Sequence, residues 1–135
     1  EYKYGDSRLD FYMEKKDEKY LMEVKGCTLE IDGIGYFPDA PSERAVRHLH
    51  ELMHAVKQGY HCILAFVIAM PGVTVVRPNM TTHPAFGQAL SEAMAAGVEV
   101  WYLPCEITAD SIQIKGRKRK YYSVQDRLYP HVVIQ

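Results

Sequence analysis

Two strand-forming runs, Ser7–Met13 and Tyr20–Gly26, flank the charged stretch Glu14-Lys15-Lys16-Asp17-Glu18-Lys19, and in the second Met22 and Val24 alternate with Glu23 and Lys25. A period of two marks a strand. The chain therefore opens as a β-hairpin, with strands over about Leu9–Met13 and Tyr20–Cys27. Thr28–Ile31 continues or restarts extended structure, and two glycines in Asp32-Gly33-Ile34-Gly35-Tyr36 break it. Phe37–Pro41 is a proline-stiffened loop. Ser42 is placed to cap a helix over about Glu43–Gln58, closed by Gly59. Ala45, Leu49, Leu52, Met53 and Val56 recur at helical spacing and form its buried stripe. His61–Met70 is apolar on both faces, which suits a central strand covered by helices on each side. Pro71–Met80 reads as a loop with a short strand at Val73–Val76. Thr82 or His83 caps a second helix, with Pro84 in its first turn, that continues to Ala96 and stops at Gly97. Val98–Leu103 then forms a strand parallel to His61–Met70. Ile107–Ile114 alternates as a modest strand, Gly116–Lys120 is a basic turn, and Tyr121–Val124 pairs back. The order of elements gives an α/β fold, a mixed sheet flanked by helices.

The chain of 135 residues suits a single domain, 1–135. A formal net charge of −1 argues against a strongly basic nucleic-acid binder, so any such contact must come from local charge. The most apolar run, Cys62–Met70, is too short to span a bilayer, and no membrane association is expected. The polar start shows no signal peptide, and beginning at Glu1 without a methionine it reads as part of a longer chain. Cys27, Cys62 and Cys105 are widely separated and form no CxxC pair. They read as small strand hydrophobes in a reducing, cytoplasmic protein.

Asp10, Glu23 and Lys25 are charged residues inside otherwise apolar strand sequence. If the hairpin turns about Lys16-Asp17, Asp10 lies opposite Glu23. Directly paired Cβ atoms are roughly 4.5–5.5 Å apart, and two carboxylates that close repel unless a cation lies between them. A hard divalent cation with oxygen ligands suits that gap, with Lys25 beside it. An ordinary ion pair of Lys25 with Glu23 or Asp10 is the alternative. Acid-x-Lys triplets are cheap, since Glu14-Lys15-Lys16 and Asp17-Glu18-Lys19 match as well.

Three blocks in order, Tyr4–Phe11, Met22–Leu29 and Phe37–Arg44, followed by His48-Leu49, Glu51-Leu52 and Ala95–Val100, resemble the sugar fermentation stimulation protein A (SfsA) family. The resemblance implies a restriction-endonuclease-like, PD-(D/E)xK nuclease-like domain whose N-terminal β-hairpin carries the acidic site. It also implies that an OB-type domain precedes this part in the family and is absent here. Carried over, Asp10 is the first acid, Glu23 the second and Lys25 the motif lysine. Leu9 stands where the motif name has proline, and Pro38-Asp39, lying after Glu23-Val24-Lys25, reads as a turn. Glu1 is a candidate for an additional N-terminal acid.

The implied chemistry is Mg²⁺ or Mn²⁺ held by Asp10, Glu23 and the Val24 carbonyl, with Lys25 serving phosphodiester hydrolysis. Glu43, Arg44 and His48 lie at the start of the first helix. Arg44 or His48 is placed to meet a phosphate, and Glu43 to assist a ligand water, although an acid there also simply suits the helix dipole. His50 and His54 read as solvated surface histidines. Lys115, Arg117, Lys118, Arg119 and Lys120, with Tyr121 and Tyr122 behind them, form either a phosphate-gripping cluster or a solvated hairpin tip. The expected partner is nucleic acid, DNA foremost, with a homodimer left open. Two functions compete: a metal-dependent nuclease, and a non-enzymatic DNA-binding regulator of sugar-use genes that keeps a silent metal site.

Overall fold

The computed structural model describes residues 2–4, 7–107, 112–114 and 118–120. The chain runs β1 (Tyr2–Tyr4), β2 (Ser7–Leu9), β3 (Phe11–Lys15), β4 (Glu18–Cys27), β5 (Leu29–Ile31), β6 (Ile34–Phe37) and α1 (Glu43–Lys57). It continues through β7 (His61–Ile68), β8 (Val76–Pro78), α2 (Pro84–Ala96), β9 (Glu99–Ile107), β10 (Ile112–Ile114) and β11 (Lys118–Lys120).

Strands β3 and β4 form the expected hairpin. Lys16 and Asp17 both take positive φ, 50° and 67°, the backbone that lets a two-residue turn follow the twist of its strands. The register pairs Lys15 with Glu18 and ends at Phe11 with Met22, one step short of Asp10 and Glu23. Strands β4, β7 and β9 lie side by side and parallel, with β3 antiparallel at one edge and β10 and β11 antiparallel on β9.

The sheet has two unlike faces. Leu21, Cys27, Leu64, Phe66 and Ile68 join Ala45, Leu49 and Leu52 of α1 and Phe86 and Leu90 of α2 in the main core. Ile63, Ala65 and Leu103, with Met22, Val24, Val67 and Trp101, form a second cluster on the opposite face. Strand β7 is thus apolar on both sides, as its sequence requires. Among the described residues, however, both helices sit on one face rather than one on each. The strand order explains this: β4, β7 and β9 are added in one direction, and crossovers of one hand then place successive helices on the same side.

Helix α1 starts where Ser42 accepts the Ala45 N–H at 3.1 Å, and Gln58 caps its end before Gly59. Helix α2 is stopped by Gly97 at φ 112°, where a Cβ would lie 3.3 Å from Val56. His83 holds the N-cap position of α2 but makes no cap bond with its side chain. Its Nδ1 instead accepts the Ser42 N–H at 2.8 Å, tying the two helix starts together.

The sequence reading missed β6 and misplaced β8. Ile34–Phe37 was expected to be broken by Gly35, but it is the middle strand of a small sheet with β5 and β8. Gly35 is there because a Cβ would lie 3.0 Å from Cys27 Sγ and 3.1 Å from the Val75 carbonyl. Glycine here marks close packing rather than a break. The short strand expected at Val73–Val76 forms three residues later, pairing Val76 with Gly35. Lys118–Lys120, expected in a turn, pair with Val100–Tyr102. The rest of that basic turn and the Tyr121–Val124 strand lie outside the described residues. The three cysteines are free, with Cys27 and Cys62 buried. Among the described residues no helix is long and apolar enough to cross a membrane.

Candidate functional site

The chain bends at Asp10, between β2 and β3, because Leu9 is drawn fully into the core. Asp10 therefore leaves the ladder and offers side-chain bonds in its place. Its N–H donates to Glu23 Oε1 at 3.2 Å, and its Oδ2 accepts the Val24 N–H at 2.8 Å. These reciprocal bonds hold Asp10 against Glu23 at the position that the hairpin register predicts. A strand residue sends its N–H and C=O to the same side, so the Val24 carbonyl is directed toward the Asp10 edge as well.

Side-chain alternation puts Leu21, Glu23 and Lys25 on the helix-covered face. Glu23 is only 2% exposed and lies beneath α1. Lys25 Nζ donates to Glu23 Oε2 at 2.9 Å and lies 3.0 Å from His48 Nδ1. His48 Nδ1 also contacts Glu23 Oε2. Burial pushes the Glu23 carboxyl above its ordinary range, against the pull of the Lys25 ammonium. Burial, followed by the charges of Lys25, Arg44 and Arg47, pushes His48 down to about 4, with Asp10 opposing. The imidazole is thus neutral near pH 7.

This arrangement offers a divalent cation oxygen ligands: the carboxylates of Asp10 and Glu23 and the carbonyl of Val24. Hard cations take such ligands, and Mg²⁺ keeps several waters beside one or two carboxylates. The donor set fits such an ion in kind. Among the described residues no three His, Cys, Asp or Glu side chains converge as a metal cluster, so much of the coordination would fall to carbonyl and water.

The structure brings together Asp10, Glu23 and Lys25, and adds His48. The phosphate contact expected of His48 needs correction: the ring is 2% exposed and turned inward against Glu23. It belongs to the apolar stripe of α1, three residues after Ala45 and four before Leu52, and that spacing is the signal that places it inside. Arg44 and Glu43 are exposed at the start of α1, and Asp39 lies in an exposed bend. His50 and His54 are exposed, and His54 Nδ1 pairs with the Tyr4 hydroxyl at 2.8 Å. Glu1, Lys115, Arg117, Tyr121 and Tyr122 lie outside the described residues. Lys118 and Arg119 are described as backbone of β11, and their expected nucleic-acid contacts rest on side chains outside that description.

Residues 1–111 match the model of the sugar fermentation stimulation protein RE domain. The chain belongs to the SfsA family. It is 48% identical over 110 residues to a sugar fermentation stimulation protein homolog of Desulfitobacterium hafniense strain Y51, which covers 82% of this chain and 48% of that protein. A homolog from Clostridium beijerinckii is 48% identical over 115 residues, covering 85% of this chain and 51% of its own. The solved structure of Pyrococcus furiosus SfsA in complex with Ca²⁺ superposes with a TM-score of 0.79 at 30% identity, over 85% of this chain and 50% of that one. The chain thus spans about half the length of the SfsA proteins it matches.

Proposed function

We propose that this SfsA domain binds DNA and hydrolyses its phosphodiester bonds with a divalent cation, Mg²⁺ or Mn²⁺, held at Asp10 and Glu23. The observation that carries the reading is the locked pair of acids. The Asp10 N–H bonds Glu23, and the Asp10 carboxylate takes the Val24 N–H, while the Lys25 ammonium rests on Glu23. The Lys25–Glu23 ion pair does not itself require a second acid fixed beside the first. The Ca²⁺ complex of the Pyrococcus furiosus relative supports a divalent ion in this family.

A cation bound there supplies Lewis-acid polarisation of a phosphoryl oxygen and lowers the pKa of an attacking water. Asp10, in the bend before β3, and Glu23, on β4, would hold it. Lys25, held in the same plane of side chains, presents an ammonium where negative charge grows on the phosphorus oxygens. Arg44, exposed on α1 and close enough to depress the His48 pKa, supplies positive charge toward the DNA backbone.

The test is cleavage of labelled single- and double-stranded DNA with Mg²⁺, Mn²⁺ or EDTA, beside the Asp10→Ala protein. Cutting that requires the metal and disappears with Asp10 is the expected result. A second reading, a DNA-binding regulator without catalysis, draws on the Lys25 ammonium already neutralising Glu23 and the lack of a three-ligand cluster among the described residues. DNA binding without cutting under any metal selects it.

A further inference from the structure

We infer that His48 is a positioning residue of this site, its ring Nδ1 clamping the Glu23 carboxylate and thereby setting Lys25. The inference rests on the metal-dependent reading of Asp10 and Glu23 given above and assigns a role to a helix residue beneath them. His48 occupies a stripe otherwise built from Ala45, Leu49, Leu52 and Ala55, all fully or nearly fully buried. An apolar residue there would serve folding better, because a polar ring taken from water costs free energy unless it finds a partner. The partner it finds is the site itself. Nδ1 meets Glu23 Oε2 and lies 3.0 Å from Lys25 Nζ, while Nζ lies 2.9 Å from the same Oε2, so three charged or polar atoms form a closed triangle.

Nδ1 carries at most one proton, so it serves one neighbour of the triangle as donor or the other as acceptor. In the clamp Nδ1 is the protonated nitrogen and donates to Oε2 beside the Lys25 donor, the ammonium turning its hydrogens to Oε2 and away from the ring. In the opposite tautomer Nδ1 accepts from the Lys25 ammonium, and the ring touches Glu23 only through Lys25. The clamp thus holds the Glu23 carboxylate in one orientation. Its own place is set from a distance. Ser42 caps α1, and the Ser42 N–H is bonded to His83 at the start of α2, so the helix that carries the ring is pinned at its start.

The test compares wild type, His48→Leu and His48→Asn. Mn²⁺ affinity is read by calorimetry, DNA cleavage as kcat and KM, and folding by circular dichroism. Removing a group that orients a metal ligand typically costs 10–100-fold in metal affinity or activity. A loss of that order is expected in His48→Leu, in Mn²⁺ affinity and kcat but not in KM for DNA. In His48→Asn the amide nitrogen, lying near the lost Nδ1, is expected to restore most of the affinity. A folded His48→Leu protein that binds Mn²⁺ like wild type overturns the inference, as does a loss confined to KM. Should the leucine variant not fold, ¹⁵N-histidine NMR of wild type decides. The Nδ1–H tautomer, persisting with Mg²⁺, is expected, and the Nε2–H tautomer overturns the clamp. A wild type that binds no Mn²⁺ removes the metal-dependent reading and this inference together. A wild type that binds it equally with either variant removes only the second.

Discussion

Asp10, Glu23 and Lys25 draw attention because each interrupts an apolar strand, and the hairpin register makes neighbours of the first two. Lys25 contributes charge stabilisation rather than ligation on the proposed reading. Lys25→Ala is therefore expected to abolish DNA cleavage while most Mn²⁺ binding survives, as read by calorimetry beside the cleavage assay. Cleavage that persists in this variant takes Lys25 out of the mechanism. His48 makes a separate prediction about stability. Its folded pKa of about 4 lies below the ordinary 6.5, so the unfolded chain takes up the proton first on acidification. Its contribution is complete above pH 6.5 and drains away as the pH falls toward 4. Glu23 is raised and works in the other direction, its contribution present below the ordinary 4.5 and lost as the pH rises through the folded value. His48→Asn removes the first effect. The urea midpoint of wild type is expected to fall more steeply than that of the variant between pH 6.5 and 4. Equal slopes would show that the ring is not buried neutral. The stripe spacing of His48 marked it as inward, but not what it meets there, because Glu23 and Lys25 are some two dozen residues away in sequence.

Helix limits follow from local chemistry, and both helices lie where Ser42, Pro84, Gly59 and Gly97 put them. Ser42→Ala is expected to cost about 1 kcal/mol, the usual worth of a serine cap, as a lower urea midpoint with unchanged slope. The hairpin turn is less well chosen. Lys16 and Asp17 hold positive φ, 50° and 67°, a backbone that lysine disfavours and that aspartate takes less readily than glycine. Lys16→Asn with Asp17→Gly supplies the preferred turn pair, and such changes commonly add about 0.5–2 kcal/mol. Thermal unfolding is expected to move upward while Mn²⁺ affinity stays the same, since the turn lies at the far end of β3 from Asp10. A fall in stability would mean that the turn is not the two-residue type. Strand β6 carried a local signal: Asp32-Gly33 joins it to β5 in a two-residue turn at positive φ, 52° and 84°, with Ile31 opposite Ile34, and taking Gly35 for a breaker concealed it. Strand β8 lies three residues beyond its expected start because Gly35 pairs with Val76, 41 positions away in the chain, and no local pattern carries that information.

At the scale of the whole molecule the helix-covered core decides stability and holds the site in register. Phe66 stands in the central strand with its ring 5.8 Å from Tyr102 and 5.5 Å from Phe37, linking the main sheet to the end of β6 in the small one. Phe66→Ala is expected to cost about 3–5 kcal/mol, as for other buried aromatic truncations. It is read in urea at constant slope, and a cost below 1 kcal/mol would place Phe66 outside the principal core. By itself the sequence determined the period-two hairpin and its register, the two capped helices, the apolar central strand and the three charged residues set into strand β4 and the bend before β3. All of these rest on contacts between residues near one another in the chain, or on burial patterns that periodicity displays directly. The tertiary structure alone decided that both helices share one face of the sheet, that Gly35 lets a small second sheet form, and that His48 turns inward onto Glu23. Each of those depends on which distant segments meet, and that is fixed by strand order and close packing rather than by any local pattern.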